Sequence, residues 1–491
     1  QEYLGLGVAA HQKGDFADAE RLYRQGLRLE PNNGPLTNNL AIVYIQQNNP
    51  IEALLTIERA TMFAPTDAAT RANRALSEFH VERLDDALAS AEQAVALEPT
   101  AYTYTTRGII HSARGDAVKG VVDYDAAIKL EPTHALSAYN AIFARNLVTT
   151  TPADALAVRK RWYTTFRFNH EKRRHRGNDR DPNRALRVGY VGGDFKCHSA
   201  MFIFSAAVLH HDTTQVVPYI YSSLPLDANA DHITKKYRAA LPHWCDIHAL
   251  DDEHAEDMIR EDQIDILVDL AGFTGGNRMT LFTRKPAPIQ VTAWGHAHGT
   301  GLPEMDYFFA DRVTVPADER QHYSEEIWDL PCIVAYEPPV EYKQDGVSDA
   351  PAHRWMTYGV CSRFEKMSDA ALAAWAEILR RVPGARLTLN DRALRRPDAI
   401  RRIQAAMPGI ESHRIQYAID TNHPDHMLAY QSVDLVLDPF PHTGGTSAME
   451  QLWMGVPVMT LYGQAVGERT TSSVLTAIGH PEWITHSVDE Y

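Results

Sequence analysis

The sequence predicts an α-solenoid of paired helices followed by an α/β half built as two doubly wound lobes. Three observations lead there: a phrase that returns at near-constant spacing through the first 150 residues, short apolar runs from Leu186 onward, and a polar break near Glu337–Pro351 that divides those runs into two series. Length agrees, because 491 residues exceed what one hydrophobic core usually covers. Hydrophobic residues at 44% and charged residues at 23% keep the chain in the ordinary globular range.

The repeats come first. Pro31, Pro65 and Pro99 stand 34 residues apart and Pro132 follows after 33, closing the phrases LEP, FAP, LEP and LEP. Small residues return in fixed registers: Gly7, Ala41, Ala75 and Gly108 in the first helix of each unit, Ala19, Ala53, Ala87 and Gly120 in the second, then Gly26, Ala60, Ala94 and Ala127. Tyr23, Ile57 and Tyr124 are the larger knobs between them. This period, with this order of small and large residues, resembles the tetratricopeptide repeat. A fifth, incomplete unit from His134 to about Phe166 is expected to cap the array. Stacked helix pairs present a concave face suited to extended peptides. Asn39, Asn73 and Asn140 share one register there, and their amides either hold a peptide backbone or bond to neighbouring helices.

Phe168 to Asn183 reads FNHEKRRHRGNDRDPN, a charged linker or surface loop. Beyond it lie LRVGYV (186–191), VVPYIY (216–221), IDILVDL (264–270), IQVTAW (289–294) and MDYFFA (305–310), with helical stretches between. After the break come MTYGVC (356–361), ARLTL (385–389), RIQYA (414–418), VDLVLD (433–438) and VPVMTL (456–461). Continuous apolar runs separated by helices read as parallel strands of βαβ units. The expected divisions are 1–150 for the repeat array, 151–185 for a capping helix and linker, and 186–345 and 353–491 for two Rossmann-like lobes. Ligands bind such sheets at the carboxyl ends of their strands, so the chemistry belongs in the loops that follow strands.

Composition narrows the partners. Lys plus Arg total 48 against 63 for Asp plus Glu, a net charge of −15, so nucleic acid is not an expected partner. Cys197, Cys245, Cys332 and Cys361 form no C-x-x-C pair, which argues against a disulfide framework or a cysteine zinc site and suits a reducing cytoplasm. No apolar run approaches the roughly 20 residues of a spanning helix, so no membrane partner is expected. The chain opens at Gln1 and closes at Tyr491 soon after the last strand, so an earlier start and a closing helix are expected outside it.

The most informative stretch is DPFPHTGGTSAMEQLWMGVPV, from Asp438 to Val458. A strand ends at Asp438, Gly444-Gly445 follows a Pro-rich turn, and Thr446 and Ser447 open a helix running through Trp453. Unpaired N–H groups at a helix start, the helix dipole and two hydroxyls together make a pyrophosphate site. Ser447-Ala-Met-Glu450 also fits a capping box, in which Ser447 and Glu450 merely satisfy each other's backbone groups. Glu450 could instead accept from a ribose hydroxyl. In the other lobe Asp194 and His198 follow strand LRVGYV four residues apart. One helical turn would bring them together as an imidazole oriented by a carboxylate, a reasonable base for a hydroxyl.

With these pieces in order, the chain resembles the UDP-GlcNAc-dependent protein O-GlcNAc transferases, tetratricopeptide-bearing enzymes of the GT-B fold. The resemblance rests on the repeats and on LRVGYVGGDFKCHSA, FTGGNRMTLFTRKPAPIQVTAWG and HTGGTSAMEQLWMGVPV, and it is strongest to bacterial members because only a short break separates the lobes. It implies an inverting, metal-independent transfer of GlcNAc from UDP-GlcNAc to Ser or Thr of proteins held by the repeat array. No cofactor beyond the donor is expected. The sole suggestive D-x-D, Asp179 and Asp181, lies in the linker ahead of a strand.

By that resemblance Lys366, in SRFEK after MTYGVC, is the essential cation on the diphosphate, and Arg363 contacts the donor where the animal enzymes carry Gln. Asp194 and His198 match the family's D-x-x-x-H. The proton acceptor stays open among His198, Asp194, a water chain and the donor phosphate, and His198 could equally position the sugar. Phe273, Thr274 and Arg278 correspond to an acceptor-side loop, with Phe273 in place of a tyrosine. Gly295, opening GHAHGTG, could approach sugar or phosphate. His423 and His426 fall where the family holds uridine, with His423 in place of a lysine. Related donors such as GDP-fucose or UDP-glucose, and a silent peptide-binding scaffold, are the competing readings. A dehydrogenase is disfavoured because no G-x-G-x-x-G opens the first βα unit.

Overall fold

The computed structural model describes residues 2–169, 178–225, 230–295, 298–338, 355–419 and 423–491. The chain divides into two compact units, one of residues 1–144 with 396–402 and one of residues 145–395 with 403–491. Most of the break between the two strand series and of the charged linker lies outside the described residues, as do His296 and Ala297 of GHAHGTG.

The first unit is a series of antiparallel helix pairs: α1 (Glu2–Gln12) with α2 (Phe16–Leu29), α3 (Gly34–Gln46) with α4 (Pro50–Phe63), α5 (Ala68–His80) with α6 (Leu84–Leu97), and α7 (Ala101–Ala113) with α8 (Ala117–Leu130). Local chemistry starts these helices where the period says. Asp15, Asn33, Asp67, Thr100 and Asp116 each accept a backbone N–H of the first turn. The recurrent alanines Ala19, Ala41, Ala53, Ala60, Ala75, Ala87, Ala94 and Ala127 are fully buried. A Cβ on Gly108 would lie 2.7 Å from the Tyr124 ring, so the helices meet at a distance only a glycine allows. Residues 396–402 join this unit: Arg401 and Arg114 both pair with Asp85, and Arg396 donates to the Ala113 carbonyl at 3.0 Å.

Two expectations for the array need correction. Asn73 is buried, donating to Asn38 Oδ1 at 2.8 Å and accepting from the Tyr102 hydroxyl, so its amide joins helices rather than facing a peptide. Asn39, half-buried, accepts from Asn38 Nδ2 at 3.5 Å within the array. Asn140, in α9 (Ala135–Arg145), is half-buried. The helix expected to cap the array, α10 (Pro152–Phe166), belongs to the second unit. Its Trp162 is buried edge-on against Phe273, ring centroids 5.0 Å apart, and the Tyr163 hydroxyl donates to Glu304 at 2.8 Å. Trp162 and Phe166, one turn apart, give α10 an aromatic stripe that suits the loops of a sheet better than alanine grooves.

The second unit holds two parallel sheets. The first orders β3-β2-β1-β4-β5-β6-β7, from β1 (Leu186–Gly192), β2 (Val216–Ser222), β3 (His243–Asp246), β4 (Ile266–Asp269), β5 (Ile289–Thr292), β6 (Tyr307–Ala310) and β7 (Glu326–Asp329). Between them run α11 (Ser199–Val208), α12 (His232–Ala240), α13 (Asp252–Glu261) and α14 (Met279–Phe282). The second orders β10-β9-β8-β11-β12-β13, from β8 (Thr357–Cys361), β9 (Arg386–Asn390), β10 (Ile415–Ala418), β11 (Leu435–Leu437), β12 (Val458–Leu461) and β13 (Ile484–Thr485). Its helices are α15 (Asp369–Arg381), α17 (His423–Ala429), α18 (Thr446–Trp453) and α19 (Thr470–Ala477), while α16 (Pro397–Ala406) begins in the stretch that joins the first unit. Every adjacent strand pair is parallel.

Each order reverses once, between β1 and β4 and between β8 and β11, and a crevice opens at such a switch point. Thus the loops after β1 and β4 flank one crevice, and those after β8 and β11 the other. Among the described residues, no helix is long and apolar enough to cross a membrane.

Candidate functional site

In the second lobe, the β8 loop turns through a single 3-10 turn, Phe364–Lys366, with Phe364 buried as its anchor. This sends the half-buried Lys366 toward the β11 loop, where Nζ donates to the Thr443 carbonyl at 2.7 Å. Behind it lies buried Asp438, whose carboxylate accepts from Gly444 N at 2.9 Å and the Thr460 hydroxyl at 2.8 Å. Burial pushes the Lys366 ammonium down to about 7; the Arg363 charge adds to this, and Asp438 and Glu365 oppose it. Burial also raises Asp438 against the pull of its hydroxyl partners and Lys366. Burial thus favours the neutral form of each, and an anion beside Lys366 would favour its charged form.

α18 starts next to this lysine. Gly445 is its N-cap, and the N–H groups of Thr446, Ser447 and Ala448 have no carbonyl one turn earlier to bond. A Cβ on Gly444 would sit 3.0 Å from Asp438 Oδ1, whereas one on Gly445 would meet nothing nearer than 3.9 Å. A side chain at Gly444 would thus press on Asp438 and Ser447, and Gly445 leaves the helix start open. The capping box does not form: Ser447 lies inside the helix, and no side chain caps it. The Glu450 carboxylate is engaged elsewhere.

That partner set was not visible in the sequence. Glu450 Oε1 lies 2.8 Å from His423 Nε2, and Oε2 lies 3.5 Å from His426 Nε2, which also meets the Tyr430 hydroxyl at 2.8 Å. Burial alone would raise Glu450, but the two histidines outweigh it and hold its pKa below the usual value. The His423 ring stacks on Phe202 of the first lobe, centroids 5.1 Å apart at 19°.

In the first lobe, Asp194 lies in the loop after β1, and His198 is the N-cap of α11. The helical turn expected between them is absent: His198 Nδ1 is 3.7 Å from Asp194 and accepts instead from Ala200 N at 3.2 Å. Burial lowers the His198 pKa against the pull of Asp194, with Lys196 and Arg363 lowering it further, which favours the neutral ring. With Nδ1 occupied as an acceptor, the neutral imidazole carries its proton on Nε2 and presents a donor. Arg363 is exposed, and its charge bears on both His198 and Lys366. The Thr446 hydroxyl donates to the Ser199 carbonyl at 3.0 Å, so the start of α18 meets the start of α11. His198, Arg363, Lys366 and Thr446 are thereby gathered about one place.

Other expected residues are held elsewhere. The Phe273 side chain is buried against Trp162, and Thr274 donates to the Ala271 carbonyl at 2.7 Å. Arg278 pairs with Asp252 at 2.7 Å and donates to the Ile247 carbonyl at 2.8 Å. These contacts stabilise the loop after β4, so an acceptor-side role for the Phe273 and Arg278 side chains is withdrawn. Gly295 is small for a local reason, since a Cβ there would collide with the Leu270 carbonyl. Asp179 Oδ1 and Asp181 Oδ1 accept the backbone N–H groups of Asp181 and Asn183 as a turn. Among the described residues no three His, Cys, Asp or Glu side chains gather as a metal site. Sequence reasoning missed Asp438 as the counter-charge to Lys366, though an acid closing a strand beside a glycine pair was the available signal. It also missed Phe202, which had none.

Comparison with known proteins places these features in a lineage. A model of glycosyl transferase family 41 matches residues 161–333 and 354–491, and a tetratricopeptide repeat model matches residues 10–76. The probable UDP-N-acetylglucosamine–peptide N-acetylglucosaminyltransferase SPINDLY of Arabidopsis thaliana is 33% identical over 373 residues, 74% of this chain and 40% of that protein. SEC of the same plant, described in the same words, is 29% identical over 321 residues, 62% of this chain and 32% of that protein. The chain thus spans less than half the length of these curated relatives. A solved structure of a Thermobaculum terrenum O-GlcNAc transferase, a lysine-to-methionine mutant, superposes with a TM-score of 0.82 at 28% identity, covering 94% of this chain and 89% of that one. A repeat array followed by two facing parallel-sheet lobes, with the matched regions spanning both lobes, shows that the chain belongs to glycosyl transferase family 41.

Proposed function

We propose that the second unit transfers GlcNAc from UDP-GlcNAc to Ser or Thr hydroxyls of proteins, with inversion and without a metal, and that the repeat array presents the acceptor. The observation that carries this reading is the meeting of Thr446 with Ser199, which sets the anion-ready start of α18 beside the His198 loop. In the reaction the acceptor oxygen bonds to the anomeric carbon as the bond from that carbon to the diphosphate breaks. The acceptor proton passes to a base, and UDP departs. Negative charge grows on the diphosphate, where Lys366, Arg363 and the N–H groups of Thr446 and Ser447 stabilise it. The ammonium of Lys366, brought to full charge by the anion, serves this step best.

The tautomer of His198 favours a donor role, with Nε2–H directed to a sugar or phosphate oxygen, and leaves the proton to Asp194 or the donor phosphate. Glu450, held by His423 and His426, orders the end of the cleft where the nucleoside would lie. Intact-mass analysis of acceptor proteins after incubation with UDP-GlcNAc, UDP-glucose and GDP-fucose tests the donor directly. We expect a GlcNAc adduct with the wild type and its loss, by at least a hundredfold in rate, with Lys366→Met. A fucose adduct would overturn the donor assignment, and undiminished transfer by the Lys366 variant would overturn the catalytic one.

A further inference from the structure

We propose that His442 is a positioning residue for Lys366: bonded to the link between α9 and α10, it fixes the Thr443 carbonyl on which the lysine rests. The inference rests on the donor-site reading above, in which Lys366 meets the departing diphosphate. It starts from the loop between β11 and α18, where the Thr443 carbonyl accepts Lys366 Nζ at 2.7 Å. Several ties hold that loop to its own lobe. The Ser368 hydroxyl donates to the Phe440 carbonyl at 2.6 Å, and the Thr471 hydroxyl donates to that of Gly444 at 3.3 Å. Thr443 gives both its N–H and its hydroxyl to the Gly467 carbonyl, each at 3.0 Å.

One tie comes from outside the lobe. His442, immediately before Thr443, places Nδ1 2.9 Å from the Asn146 carbonyl, in the link that follows α9. A carbonyl only accepts, so this nitrogen carries the ring proton and donates it. The link is itself braced, because the Thr150 hydroxyl donates to the Arg145 carbonyl at 3.1 Å. The ring is also confined from the side of Gly467. A Cβ there would lie 2.9 Å from the His442 ring and 2.8 Å from His298 Nε2, so the backbone packs against two imidazoles with no room for a side chain. With the bond to Asn146 gone, Thr443 would keep its bonds to Gly467 but lose the support that precedes them, and water would gain access to the ammonium. The charged groups about that ammonium are Arg363 and Glu365 on its own turn and Asp438 after β11, yet burial outweighs them and brings Lys366 down to about 7. Wetter surroundings favour the charged form and raise it.

The experiment is competitive acetylation of the full chain by acetic anhydride between pH 5 and 10, with Lys366 read by peptide mass spectrometry in the wild type, His442→Leu and His442→Asn. Asparagine sets its amide where Nδ1 stands and keeps the bond to Asn146; leucine removes it. We expect Lys366 to titrate near 7 in the wild type and in the asparagine variant, and about one unit or more higher in the leucine variant. An unshifted lysine in the leucine variant would overturn the proposal. So would an equal shift in both variants, which would make the ring and not its bond to Asn146 the cause. Should leucine fail to fold by circular dichroism, His442→Gln carries the same prediction, because its amide stands where Nε2 does. Transfer is the second arm: kcat should fall about tenfold with leucine and return with asparagine, and an unchanged kcat would count against the proposal. If the wild type neither bound UDP nor transferred GlcNAc, the donor-site reading would fail, and the acetylation result would still decide whether His442 positions the lysine.

Discussion

A lysine held on a carbonyl, with an arginine beside it and a carboxylate buried behind it, is set to change its charge when an anion arrives. Burial brings Lys366 down to about 7, and a bound diphosphate favours the ammonium, so donor binding is linked to proton uptake. Below pH 7 the free protein already carries the charge, and this lysine adds no pH dependence. Above pH 7 each binding event must draw a proton from solution, so affinity falls as pH rises, by roughly tenfold per unit until the pKa of the bound state is reached. Titration calorimetry of UDP at pH 8 in buffers of different ionisation enthalpy should report an uptake approaching one proton, and Lys366→Met should abolish it. Release of protons, or an affinity flat between pH 7 and 9, would show that Lys366 is not the anion's partner. At this same scale sequence reading was least complete. The Glu450–His423 contact joins residues 27 apart in the chain and depends on where two helices lie, which no local pattern encodes.

At the scale of elements, α18 and its preceding turn form the part most legible in the sequence, because glycines and hydroxyls between a strand and a helix have few other uses. What misled was the cap. Gly445, not Ser447, ends the turn, so the S-x-x-E spacing is coincidental and Glu450 is left for the histidines. The strands follow the same logic. Runs buried on both faces, such as those of β1, β4 and β8, are continuous and apolar and were readable. HWCD, EIWD and the two-residue β13 are three of the four outer strands, partly exposed and mixed in polarity, and gave no period to find. Gly444 tests the turn itself. Alanine there would press its Cβ to 3.0 Å from Asp438 Oδ1 and 3.1 Å from Ser447 Oγ, displacing the N–H that satisfies the buried carboxylate. We expect Gly444→Ala to cost about 1–3 kcal/mol of stability in urea denaturation and to weaken UDP binding at least tenfold. A variant with wild-type stability and affinity would show that the turn has room to spare.

At the scale of the molecule, the two lobes are tied where Arg469, buried after β12, reaches Glu319 between β6 and β7. Its guanidinium also donates to the Gly463 carbonyl at 2.8 Å and lies over the Tyr462 ring at 4.8 Å, so it is fixed from its own lobe before it crosses to the other. Burial opposes the charge on Arg469, and the Glu319 carboxylate more than compensates, holding its pKa above the usual value. Removing one member of such a pair leaves the other charge facing an apolar core, whereas replacing both with apolar side chains removes the penalty with the attraction. We therefore expect Arg469→Ala to destabilise the protein by about 3 kcal/mol, and the double variant Arg469→Met with Glu319→Leu to recover most of that loss. Donor affinity should follow the same pattern, falling in the single variant because the cradle and the His198 loop lose their fixed separation, and returning in the double. Urea denaturation followed by tryptophan fluorescence, with UDP titrations on the same three proteins, reads both quantities. Full stability in the double variant with affinity still lost would mean that Arg469 acts on the ligand and not on the spacing of the lobes.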